Sequence, residues 1–133
     1  MKEIKNEYVD QIYDTELKVL YANFHKFGPF SEYLPIFENG YEIIQMQKAK
    51  GCLINIERVT VHDEQTRAYL GEVWFPKVSQ EGVTHIAIVL PSSALGRISS
   101  QKAHESAEII GSLTICNFDR ETEAREWLSK MLR

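Results

Sequence analysis

No apolar run in the 133-residue sequence approaches the ~20 residues needed to span a bilayer, and Met1-Lys-Glu-Ile-Lys is too polar for a signal peptide. A soluble, cytoplasmic protein is therefore expected. Cysteine is scarce. The two residues, Cys52 and Cys116, lie in apolar strand-like runs without nearby histidine pairs, which fits buried thiols better than a zinc site. Concentrated positive charge is also lacking: the net charge is −4, the pI about 5.6, and basic groupings such as Lys48 and Lys50 are short. Backbone-driven nucleic-acid binding needs a basic face, so no nucleic-acid partner is expected.

Catalytic patterns are missing as well. His25, His62, His85 and His104 are not spaced as a metal pair on one helix face, and no HExxH motif occurs. Gly96 stands alone, so there is no glycine-rich phosphate cradle. The carboxylate pairs Asp63-Glu64 and Glu121/Glu123 fit helix starts better than acid/base chemistry. No catalytic residue, metal or cofactor is assigned. With 44% hydrophobic and 26% charged residues and no linker-like stretch, the chain reads as one domain over 1–133.

What is present alternates between two periods. Tyr8–Tyr13 and Leu17–Phe24 are strand-like, and the short Asp14-Thr15-Glu16 connection between them predicts an antiparallel hairpin. Phe30, Leu34, Phe37, Tyr41 and Ile44 recur at helical spacing, predicting a helix over 30–50 that Ser31 can cap and Gly51 ends, with an irregularity at Gly40. Cys52–Ile56 is a short apolar run of the kind buried on both faces. A second helix is predicted over 64–80, bent or ended early by Pro76, with Tyr69, Leu70, Val73 and Trp74 inward. Gly82 closes it and Val83–Leu90 is the next buried strand. A third helix, capped by Ser99 or Ser100, runs to about Ile110. Leu113–Phe118 is the last strand, and Asp119 caps a final helix with Ala124, Trp127, Leu128, Met131 and Leu132 inward. The order β-β-α-β-α-β-α-β-α implies an α/β domain with a five-stranded mixed sheet, its three later strands parallel through right-handed crossovers.

Several of these residues resemble a known family. Trp74-Phe75-Pro76-Lys77, with Gly82-Val83 leading into Ile86-Ala87-Ile88-Val89, is similar to the "FPKA…GV…iAfV" stretch of bacterial SpoIIAA-like proteins of the STAS/SEC14-like group. Phe118-Asp119 followed by Glu123-Ala124-Arg125-Glu126-Trp127-Leu128 resembles that family's "FDdeeeAleWL" ending. The resemblance implies the same α/β fold. The chain departs from the pattern at two places. Asn55 stands where many relatives carry an Asp. The stretch Val61-His62-Asp63-Glu64-Gln65 lacks the Ser that switches the group's anti-sigma-factor antagonists, with Thr60 and Thr66 flanking it.

Ligands of open α/β sheets bind outside the carboxyl ends of the strands. The loop Pro91–Ser100 is placed there by the predicted order. Its Ser92, Ser93, Arg97, Ser99 and Ser100 offer hydroxyls and a fixed positive charge, suited to a carboxylate or phosphate, and Glu57 and Arg58 would line the same edge. The leading expectation is a non-enzymatic module binding a protein partner or a small anionic or amphipathic ligand at this edge. Two alternatives stand beside it: an enzyme using Cys52 or a His at the same edge, and a self-association module that forms a homodimer through the hairpin edge or its helix faces.

Overall fold

A hairpin starts the sheet. β1 (Ile4–Lys5) pairs antiparallel with β2 (Val9–Asp14), which pairs antiparallel with β3 (Val19–Phe24). The turn is fixed by Asp14, whose carboxylate accepts the backbone N–H of Glu16 at 3.0 Å and of Leu17 at 2.9 Å, while Lys18 takes a left-handed φ of 61°. The computed structural model describes residues 3–61, 63–91 and 108–133, with 108–110 described in backbone alone.

From β3 the chain enters α1 (Phe30–Gln47), β4 (Gly51–Asn55), and a helical stretch made of α2 (Glu64–Tyr69), a π-helical turn (Leu70–Trp74) and α3 (Phe75–Gln80). β5 (His85–Val89), β6 (Glu108–Ile110), β7 (Leu113–Phe118) and α4 (Glu121–Met131) complete it. The sheet order is β1-β2-β3-β4-β5-β7-β6; β3, β4, β5 and β7 run parallel, and β6 lies antiparallel on β7. The molecule is thus an α/β domain with a mixed sheet, as the sequence implies.

Among the described residues seven strands stand where five are expected. The two extra ones are the shortest: β1 has two residues and β6 three. β6 also corrects the predicted third helix, since residues 108–110 are extended and pair with β7; the rest of that helix, with its Ser99 or Ser100 cap, lies outside the described residues. Other corrections are local. α1 starts behind Pro29 with no side-chain cap, so Ser31 does not cap it, and it ends at left-handed Lys48, leaving Gly51 to open β4. Gly40 does not disturb the helix. Arg120, not Asp119, precedes α4 as its capping residue.

Alternation along the strands splits the core into two layers. Leu20, Ala22, Phe24, Cys52 and Ile86 join α1, the π-helical turn and α3 through Tyr33, Ile36, Phe37, Ile43, Ile44, Trp74 and Val78. Leu53, Ala87, Val89, Cys116 and Phe118 face α4 through Ala124 and Leu128. The inward stripe of α1 is therefore rotated from the predicted one, with Phe30, Leu34 and Tyr41 at its margins. Val73 and Met131, expected inside, are exposed.

Candidate functional site

At the carboxyl ends of β3, β4 and β5 the chain encloses an apolar cavity of about 100 Å³. The strands contribute Phe24, Ile54 and Ile88, with Ile56 just beyond β4. α1 contributes Tyr33 and Phe37. The second helical stretch contributes Thr66, Arg67, Leu70 and Phe75. The loops after β3 and β4 bring Phe27, Gly28, Val59, Val61 and Asp63.

Two local features shape this lining. A Cβ on Gly28 would lie 2.6 Å from Cε1 of Tyr33 and 3.0 Å from Cδ1 of Tyr8, so the loop reaches the cavity only because position 28 has no side chain. The Tyr33 hydroxyl donates to the Lys26 carbonyl, and burial pushes its phenol up to about 12, so it stays neutral. The second feature is the π-helical turn. In an α-helix Leu70 and Phe75 would point about 140° apart. Here the N–H of Phe75 bonds back to the carbonyl of Leu70, and the widened turn lets both side chains line the cavity. The turn directly precedes Pro76, where the sequence predicts a bend or an early end; the helical path instead continues through α3. Trp74 is buried, and its Nε1–H donates to the Phe37 carbonyl at 2.9 Å, tying the turn to α1.

The polar groups of the cavity sit together at the start of α2. The Thr66 hydroxyl donates to Oδ2 of Asp63 at 3.1 Å, and Thr66 is buried. Arg67 is mostly exposed and reaches Glu64 at 3.8 Å. Phe27 and Val61 are 45% and 58% exposed.

A polar network lies on the other side of β4, beside α4. Asn55 donates through Nδ2 to Glu121 at 3.0 Å and to Glu57 at 3.1 Å, and its Oδ1 accepts the Glu57 backbone N–H at 3.0 Å. Tyr21 donates to Glu121 at 2.9 Å, and Arg125 bridges Glu121 at 3.3 Å and Asp14 at 3.0 Å. Burial, reinforced by Glu121, drives the Tyr21 phenol far above its ordinary value, so Tyr21 acts as a donor. Burial pushes the Asp14 carboxyl up, but the Leu17 N–H, Arg125 and the Glu16 N–H together outweigh it and hold the group below its ordinary value.

Of the residues expected at the strand-end edge, Ser92, Ser93, Arg97, Ser99 and Ser100 lie outside the described residues, as do His62 and His104. Glu57 joins the Asn55–Glu121 network rather than the cavity, and Arg58 is exposed on the loop after β4. Cys52 is fully buried, and burial drives its thiol well above the ordinary range, which denies it thiolate character. His85 sits at the amino end of β5, with Nδ1 2.8 Å from the Thr84 hydroxyl and its ring 5.3 Å from that of Trp127; burial pushes its pKa down. His25 pairs with Asp10 at 3.3 Å. Among the described residues there is no group of three or more His, Cys, Asp or Glu side chains able to hold a metal, and no helix long and apolar enough to cross a membrane.

Of the cavity residues the sequence singles out Phe75, as part of a patch fit for a partner or an apolar ligand if exposed together with the outward face of the first helix, but it does not assemble the lining. The other signals are indirect: the dipeptide Gly28-Pro29 breaks the pattern between the hairpin and the first helix, and Pro76 interrupts a helical period at the irregular turn. Comparison with protein-family models, with curated proteins and with solved structures gives no match.

Proposed function

We propose that the chain is a non-enzymatic, SpoIIAA/STAS-like module that binds a compact apolar or amphipathic small molecule at the carboxyl ends of its parallel strands. The observation that carries this reading is the cavity of about 100 Å³ between Phe24, Ile54, Ile88, Phe37, Leu70 and Phe75. It occupies the crevice where open α/β sheets hold ligands. An apolar cavity of roughly 150 Å³ takes up benzene. At about two-thirds of that volume and open at its mouth, this cavity suits a body of roughly four to six carbons, with a ring's edge left at the mouth, and is too small for a long acyl tail.

The test is an NMR titration of the whole chain with benzene and toluene, following the methyl groups of Ile54, Val59 and Ile88. Shifts confined to these methyls are expected. Val59→Phe should abolish them by filling the space, and Val59→Ala should move the preference toward larger probes. Methyl signals unmoved by either probe would remove the cavity as a binding site. Exposed Phe27 and Val61 give the partner reading its support, because a protein side chain could enter between them. In that case Phe27→Ser would weaken partner capture far more than benzene binding.

A further inference from the structure

The one cationic residue among the described residues lining this apolar cavity points to the chemistry of its occupant. We infer that the ligand carries one anionic group, a carboxylate on a compact apolar body, and that Arg67 pairs with it at the mouth; the inference rests on the cavity being a binding site. Apart from the Tyr33 hydroxyl, which already donates to Lys26, the polar side chains among the described lining residues are Asp63, Thr66 and Arg67. They are not equivalent. Asp63 and Thr66 are engaged with each other at 3.1 Å.

Arg67 is differently placed. Its backbone is fixed one turn into the helix by its N–H bond to the Asp63 carbonyl at 3.1 Å. Its side chain is 64% exposed, and the guanidinium reaches the carboxylate of Glu64, a side chain 88% exposed, at 3.8 Å, beyond a good hydrogen bond. Exchanging that contact for a ligand carboxylate gives up little. A guanidinium also presents paired donors that match the two oxygens of a carboxylate. The long side chain lets the charged fork stay at the wet mouth while the apolar body of the ligand fills the dry interior.

The size limit and the charge together define the class: aryl or short-chain monocarboxylates. Neutral isosteres should bind, but less tightly. A cation drawn to Asp63 would also face the positive charge of Arg67 in the same lining, so cations should gain less than anions.

The experiment compares toluene, benzoate and benzylamine on the whole chain by the same methyl shifts, at low and high salt. Benzoate is expected to bind about tenfold more tightly than toluene at low salt, as one charge-assisted pair predicts. That advantage should shrink at high salt, where exposed charge pairs are screened, and should collapse to near unity in Arg67→Gln. Arg67 is largely exposed, so this variant should fold. Equal affinity for benzoate and toluene would overturn the anionic class while leaving the cavity reading in place. Tightest binding by benzylamine would overturn it in favour of Asp63. A benzoate preference that survives Arg67→Gln would remove Arg67 from the site. Failure of all three probes to bind would sink the cavity reading itself.

Discussion

At Gly40, α1 approaches the sheet so closely that a Cβ would lie 2.8 Å from Nε2 of Gln11 and 3.0 Å from Cδ2 of Leu20. Gln11 cannot simply move aside. It is 1% exposed, its Nε2 donates to the Ile36 carbonyl at 2.9 Å, and its Oε1 accepts from Asn39 at 2.8 Å. Alanine gains up to ~1 kcal/mol over glycine in a helix, whereas overpacking costs about 1–3 kcal/mol. Gly40→Ala should therefore destabilise by about 1 kcal/mol, read as a lower urea midpoint. Gln11→Ala should cost about 1–3 kcal/mol, because it removes a buried amide and leaves the Asn39 donor without that acceptor. The double variant should lose less than the sum, since the shortened side chain vacates the space the new methyl needs. Additive losses would mean that the two residues do not share that space.

At the scale of the element, α4 is held in two ways. Ala124 and Leu128 bury against Leu53, Ala87 and Cys116, and Arg125 and Glu121 bind Asp14, Tyr21 and Asn55 beside the strand ends. The apolar half does not titrate, but the polar half does. The folded Asp14 value lies below its unfolded one, so its contribution is complete above about pH 4 and is lost as pH falls through the depressed value. Arg125→Met should lower the melting temperature clearly at pH 6 and by less at pH 3. A gap that stays constant with pH would show that Arg125 acts by packing alone. The two cysteines can report on the same element. Cys52 lies in the layer under α1 and α3, Cys116 in the layer under α4, and both are buried. Weakening the clamp with Arg125→Met should speed thiol labelling at Cys116 and leave Cys52 protected. Equal acceleration at both would mean that α4 does not open separately from the rest.

Across the whole molecule, the strands buried on both faces were the most legible. Leu113–Phe118 is a strand over the same six residues, Cys52–Ile56 overlaps β4 (Gly51–Asn55) with an offset of one residue, and Val83–Leu90 contains β5. Continuous apolar runs between turn residues leave few alternatives, and the helical segment between β4 and β5 requires them to be parallel. Elements stabilised by pairing rather than by their own pattern were not legible. Ile4–Lys5 is too short to show a period, and β6 exists through its register with Leu113–Ile115. The phase of α1 was missed for a related reason. Apolar residues such as Phe30, Leu34 and Tyr41 compete with Tyr33, Ile36 and Ile43, and the close approach at Gly40 decides between the two stripes. The strand-end edge could be anticipated from chain order alone. The cavity's lining could not, because it joins Phe27, Val59, Arg67 and Ile88 across four separate segments.

The π-helical turn at Leu70–Trp74 also fixes a length. A turn closed by Phe75 N–H on the Leu70 carbonyl holds one residue more than an α-turn, so the stretch from Glu64 to Gln80 contains a residue that a plain helix of the same path would omit. Gly71 is the natural one to remove: it is exposed, and a Cβ there would meet nothing within 4 Å. Deleting Gly71 should give an uninterrupted α-helix with higher helicity by circular dichroism and stability at least equal to the parent, since a helix-interior glycine is lost. The same deletion leaves Leu70 and Phe75 four apart, about 40° on an α-helix, so both should still face the cavity and benzene should still shift the Ile54 and Ile88 methyl groups; loss of those shifts would mean that Gly71 itself shapes the lining. The extra residue is then a surplus that the wide turn absorbs, so the helix can shed one residue there without turning its lining away from the sheet.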